Sequence, residues 1–227
     1  MLRGRGLRLE MVVHGVAVLD VRGPFWIETS GVSSQISRAP GGTSETLVTM
    51  VKTALVVIDM INAYDHEDAE LLVPSVKRAL PPVMKLLEQA RERDLPVIYV
   101  NENFGKWRSH HGEILDTALA GPHADLVEPV RPDESSYFIV KARHSIFYET
   151  PLTYLLGTLD VSHLVLCGQV TEQCVLYSAL DAHIRHLTVT IARDAVAHIH
   201  QDLADAALRM MEENMAARIV PTAQALD

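Results

Sequence analysis

What most constrains this chain is a repeated alternation: short apolar runs of strand length, each followed by a polar loop or a stretch with helical spacing. The runs are Lys52–Ile58, Pro96–Val100, Tyr137–Val140, His163–Cys167, Leu187–Ile191 and Arg218–Val220. An apolar run without polar alternation is buried on both faces, as strands of a parallel sheet are. Between the runs, Ser75–Asp94 carries Val83, Leu86, Leu87 and Ala90 at helical spacing, with Pro81–Pro82 marking a kink or a fresh start. Another helix is expected near Pro151, and a last one over Gln201–Ala217 with Leu203, Ala206, Ala207, Met210 and Met211 on one face. Strands alternating with helices require right-handed crossovers, so the pattern predicts a three-layer α/β/α domain around a parallel sheet.

The chain has 227 residues, 48% of them hydrophobic, which is enough for one large core. A net charge of -9 with no basic run argues against a nucleic-acid partner. Two cysteines are too few for a disulfide framework and suit a reducing cytoplasm. No apolar run reaches membrane-spanning length. Arg3, Arg5 and Arg8 precede the apolar run Met11–Leu19, but His14 interrupts it, Asp20 follows and no small-residue cleavage site appears, so export is not expected. Residues 30–46 are rich in Ser, Gly, Thr and Pro. Residues 1–52 are therefore expected to be a poorly structured appendage, 53–221 the functional domain and 222–227 a tail. Neither a Gly-x-Gly-x-x-Gly after a strand nor a Walker loop is present, which leaves dinucleotide and NTP binding without support. His110–His111, His183 with His186, and His198 with His200 lack companions at metal-ligand spacing.

Chemistry concentrates in Gly168–Gln169–Val170–Thr171–Glu172–Gln173–Cys174, where a buried strand gives way to a helix. Thr171 is the expected N-cap, and free N–H groups with the helix dipole should favour a thiolate, lowering Cys174 below the usual value of about 8.5. The opposing reading is that small cysteines pack in cores, and Cys167, inside the apolar strand, fits it. Asp59 and Lys141 also stand just past strand ends. A carboxylate there is costly unless used or paired, whereas a lone strand-end lysine is ordinarily a snorkelling one. The carboxyl ends of parallel strands share one rim, so Asp59, Lys141 and Cys174 can converge. Lys141 would then hold a thiolate by charge while Asp59 moves protons. Phe104 and Trp107, in the loop after the second strand, read as pocket walls or as packing, and so do Tyr64, Phe147 and Tyr177; as walls they would suit an apolar or planar substrate.

Val57–Ile58–Asp59–Met60 with Asn62 and Tyr64, then Lys141-x-Arg143-x-Ser145-x-Phe147, then Gly168-x-x-Thr171-x-x-Cys174–Val175 together resemble the isochorismatase-like cysteine hydrolases. That family includes nicotinamidases, N-carbamoylsarcosine amidases, ureidoacrylate hydrolases and isochorismatases. The resemblance covers residues 53–221 and none of the first fifty. It implies a six-stranded, parallel, Rossmann-like sheet, a catalytic triad of Asp59, Lys141 and Cys174, and an oxyanion hole formed by the Val170 and Cys174 backbone N–H groups. It also implies a cis peptide at Gln169–Val170 and a homo-oligomer, dimer or tetramer. Nicotinamidases bind a metal through Asp-x-His after the second strand, but Asn101–Glu102–Asn103 stands here, so neither metal nor other cofactor is expected. Some isochorismatases lack the cysteine and carry glutamine after Asp-Met, where this chain has Ile61. The expectation is a cytoplasmic, metal-independent hydrolase that cleaves an amide, ureido or lactam C–N bond of a small molecule through a thioester. Vinyl-ether hydrolysis of the isochorismatase type and a non-catalytic scaffold are the alternatives.

Overall fold

The computed structural model describes residues 51–107 and 110–227, so the expected appendage lies almost wholly outside the described residues. A compact unit begins at Lys52 and runs to Asp227. Its six strands are β1 (Lys52–Ile58), β2 (Val97–Glu102), β3 (Tyr137–Lys141), β4 (Val161–Gln169), β5 (Thr188–Ala197) and β6 (Arg218–Val220). All pairings are parallel and the order is β3-β2-β1-β4-β5-β6. The first three strands are laid down outward in one direction, and β4 returns to the other side of β1. The order therefore reverses between β1 and β4, and a crevice opens beyond their carboxyl ends.

Side chains alternate across the sheet and build a core on each face. Leu55 and Val57 pack on one side with α1 (Ala69–Glu92), α2 (His111–Leu119) and α3 (Ala124–Val127). Ala54, Val56 and Ile58 pack on the other with α4 (Leu152–Leu159), α5 (Leu176–Ile184) and α6 (Gln201–Met215). Among the described residues no helix is long and apolar enough to cross a membrane.

Three elements differ from expectation. Helix α1 begins six residues before Ser75 and keeps Pro74, Pro81 and Pro82 inside one continuous helix, with no fresh start. An interior proline costs about 3 kcal/mol, but burying Leu72, Val76, Val83, Leu86 and Leu87 along one face stabilises by about 1.5–3 kcal/mol each, so the face prevails. Strand β5 continues past Ile191, where the apolar run ends, through Arg193 and Asp194. Its pairing with β4 jumps from Leu166–Ile191 to Gly168–Val196, so the intervening residues bulge and turn both charges outward. The bulge has a use at the chain end: Asp194 Oδ1 accepts the Thr222 N–H at 2.7 Å and the Thr222 hydroxyl at 2.8 Å. Residues 222–227 are thus tied down, with a 3-10 turn at Thr222–Gln224 and Ala225 buried.

Candidate active site

At their carboxyl ends strands β1 and β4 lie side by side, with Ile58 opposite Gly168. Gly168 has φ +111°, and a Cβ built there would lie 2.1 Å from the Ile58 carbonyl oxygen. Only glycine permits this approach, which delivers the two strand ends side by side.

The residue after Ile58 is Asp59, in the left-handed region at φ +53°. Aspartate tolerates that conformation better than most residues, and four bonds hold it. Its N–H donates to Val100 O at 3.0 Å, and its carbonyl accepts the Gln169 side-chain amide at 2.7 Å. Its Oδ1 accepts the Glu102 N–H at 2.7 Å, and its Oδ2 pairs with Lys141 Nζ at 2.8 Å. Lys141, at the end of β3, reaches past β2 with its side chain fully enclosed, and Nζ also donates to Cys174 Sγ at 3.6 Å. The three residues read from the strand ends therefore meet.

Each is nearly buried: Asp59 is 7% exposed, Lys141 1% and Cys174 5%. Burial alone works against the Lys141 ammonium, but the Asp59 carboxylate, with smaller help from Cys174 and Glu102, outweighs it and holds the lysine more firmly charged. Cys174 departs from expectation, for its thiol is pushed up and not down. Burial is the main cause and the Asp59 carboxylate, which shares a hydrogen bond with the thiol, adds to it; Lys141 and the Val170 N–H oppose them. The N–H groups of the turn are outweighed by the enclosure and the adjacent carboxylate. The Asp59–Lys141 ion pair thus lies beside a thiol whose proton burial holds more tightly.

The local backbone also differs. Thr171–Val175 is a π-turn closed by Val175 N–H to Val170 O at 3.1 Å, and α5 starts only at Leu176. Thr171 is not a side-chain cap; its hydroxyl donates to Ala197 O at 2.8 Å, on β5. The Gln169–Val170 peptide is cis. Ser178, one helical turn on, accepts the Ile146 N–H at 3.1 Å and donates to Cys174 O, joining the turn to the segment after Lys141.

The aromatic candidates divide. Phe147 is core: it is 4% exposed and the Arg185 guanidinium lies 4.8 Å over its ring, at the far end of α5 from Cys174. Tyr64 is buried too, its hydroxyl donating to Gln169 Oε1 at 3.4 Å, so it backs the amide that holds Asp59 and lines no open surface. Both read as pocket walls because sequence shows ring chemistry but not which face a loop turns inward. Phe104, Trp107 and Tyr177 are exposed. Trp107 lines a cleft of about 360 Å³ with Glu102, Arg143 and Tyr148, and Tyr177 packs its ring 5.6 Å from that of His144. Sequence reasoning missed Asn101, which accepts the Ile61 N–H and donates to Ile61 O, both at 3.0 Å, fixing the loop that carries Asp59. It also missed Gln169. The available signal was a carboxamide inside or ending an otherwise apolar strand, which must find partners. Among the described residues no group of three or more His, Cys, Asp or Glu side chains is placed to hold a metal ion.

Comparison with known proteins adds to this geometry. The family model described as the isochorismatase domain matches residues 53–224. The chain is 33% identical over 174 residues to the uncharacterized isochorismatase family protein YaaI of Bacillus subtilis, covering 77% of this chain and 96% of that one. It is 29% identical over 165 residues to maleamate amidohydrolase of Pseudomonas putida, covering 69% and 78%. Among solved structures, an isochorismatase-like hydrolase from Alkaliphilus metalliredigens superposes with TM-score 0.64 at 25% identity, covering 78% of this chain and 96% of that one. N-carbamoylsarcosine amidase from Thermoplasma acidophilum does so with TM-score 0.58 at 27% identity, covering 76% and 97%.

Proposed function

Because this chain belongs to the isochorismatase family of hydrolases, we propose that it cleaves an amide-type C–N bond of a small molecule through a thioester on Cys174, without a metal. The observation that carries this reading is the Lys141 ammonium, 2.8 Å from Asp59 Oδ2 and 3.6 Å from Cys174 Sγ in one enclosed crevice. A cysteine kept only for packing needs neither neighbour. The names of two relatives, maleamate amidohydrolase and N-carbamoylsarcosine amidase, point to the same bond class.

The resting thiol is hydrogen-bonded to Asp59, so attack and deprotonation occur together. As sulfur bonds to the substrate carbonyl carbon, Asp59 takes the thiol proton, and the carbonyl oxygen becomes an oxyanion between the Val170 and Cys174 N–H groups. Collapse breaks the C–N bond, and Asp59 gives its proton to the departing amine or ammonia. Water then adds to the thioester carbonyl and loses a proton to Asp59. When the C–S bond breaks, the proton returns to sulfur and the carboxylic acid leaves. Throughout, the Lys141 ammonium offsets negative charge growing on sulfur. Both cysteines are free, in keeping with a cytoplasmic setting. A dimer or tetramer is proposed from the family resemblance alone.

The test combines a panel of small amides, ureides and lactams, assayed for amine or ammonia release with and without chelator, with mass trapping of an acyl adduct on Cys174. We expect a Cys174 adduct and chelator-resistant turnover. Full turnover by Cys174→Ala would reject the covalent route and leave Asp59 as the acid of a vinyl-ether hydrolase.

A further inference from the structure

The triad approaches the nucleophile turn from the β1 side of β4, and a second set of bonds grips the same turn from the β5 side. Besides the Thr171 hydroxyl on Ala197 O, the Glu172 carboxylate spans to the segment between β5 and α6. Its Oε1 accepts the Ile199 N–H at 2.9 Å and the His200 N–H at 2.8 Å. His200 is the residue preceding α6, and its own side chain makes no capping bond. Glu172 thus supplies from elsewhere in the chain an acceptor at the start of this helix, where N–H groups lack intrahelical partners and the dipole favours negative charge. Its other oxygen, Oε2, is buried with no hydrogen-bond partner. Leaving a buried acceptor bare is costly, so the residue is not placed to complete its own hydrogen bonding. What the arrangement does achieve is reach: one oxygen joins the backbone two residues before the sulfur to the start of α6.

We infer that Glu172 is a positioning residue for Cys174. By fastening the turn at residue 172 to the start of α6, it fixes the aim of the Val170 and Cys174 N–H groups and of the sulfur. The inference rests on the reading of Cys174 as nucleophile, and it goes beyond that reading in assigning a role to a side chain that touches neither substrate nor triad. Reach is the property that matters. Glutamine keeps an oxygen at the same distance, whereas aspartate withdraws the acceptor by one carbon–carbon bond, about 1.5 Å.

The experiment compares two reactions at the same sulfur in the full-length protein. Acylation by p-nitrophenyl acetate requires the N–H groups that receive an oxyanion; alkylation by iodoacetamide does not. Both rates are read at Cys174 by peptide mass mapping, well below the melting temperature of each variant. In Glu172→Ala and Glu172→Asp the ratio of acylation to alkylation should fall at least tenfold, with Glu172→Gln within threefold of wild type. A role confined to stability would lower the melting temperature and leave this ratio alone, so a ratio within threefold of wild type in the alanine and aspartate variants overturns the inference. A glutamine variant that falls as far as alanine also overturns it, since charge and not reach would then matter. Should Glu172→Ala not fold, the aspartate and glutamine variants decide. Nitrophenol release that persists undiminished in Cys174→Ala would instead overturn the nucleophile reading itself.

Discussion

Cys167 and Cys174 lie on the same strand–turn–helix segment, and both are buried free thiols whose enclosure raises them. Their surroundings differ. Cys167, within β4, has a single weak bond, from its thiol to Val56 O at 3.7 Å, and burial pushes it up to about 12. Cys174 faces an ammonium, a carboxylate and a backbone N–H. Neither accessibility nor acidity therefore distinguishes the two thiols. What differs is that a proton acceptor and a compensating charge stand within reach of Cys174, which is what a nucleophilic thiol would need.

The most direct way to break this comparison is to delete each sulfur. Cys174→Ala should lose at least about 10³-fold in kcat on any amide the protein turns over, while Cys167→Ala stays within about twofold. Comparable losses in both would mean that the two thiols are not functionally distinct. Gly168 lies between them, and Gly168→Ala drives a Cβ into the Ile58 carbonyl at a left-handed φ. Strain and overpacking together should cost about 3 kcal/mol in denaturant unfolding, with a loss of activity from displaced Asp59. A variant of unchanged stability would show that β1 and β4 can part without harm.

The smallest effect is in alkaline stability. Burial pushes the Cys167 thiol up to about 12, well above its value in an exposed chain, so the folded state keeps its proton longer than the unfolded chain. The stability this contributes is complete below pH 9 and declines as pH rises from 9 toward 12. Between pH 8 and 10 wild type should therefore lose about 1 kcal/mol more than Cys167→Ala, read from urea midpoints. Equal losses would mean that Cys167 is not sealed as its surroundings indicate.

The strands were legible because both-face burial leaves an unbroken apolar run, and Asp59, Lys141 and Cys174 because each is a chemically expensive residue just past one. What was not legible depended on partners distant in sequence. Whether Thr171 caps a helix or donates to Ala197 is decided by β5, and whether Cys174 is acidic or basic is decided by Asp59 and by the lid of surrounding side chains. The aromatic rings illustrate the same limit: Phe147 and Trp107 both look like pocket walls in sequence, and only packing sends one beneath Arg185 and the other to the cleft beside Arg143. Proline counted against α1 by local rules, yet the sheet overrode them. Glu172 was read only as a residue of the first helical turn after Thr171, since its bonds go to the distant Ile199 and His200.

The order of strands in the sheet has one more consequence. Asp59, Lys141 and Cys174 are mounted on β1, β3 and β4, so no two of them belong to one hairpin or one helix that could survive alone. No fragment of the sheet can hold the three together, so the cluster is lost when the middle of the sheet comes apart. Inactivation and the collapse of secondary structure should therefore be a single event, and hydrolysis serves as a sensitive gauge of whether the middle of the sheet is still assembled.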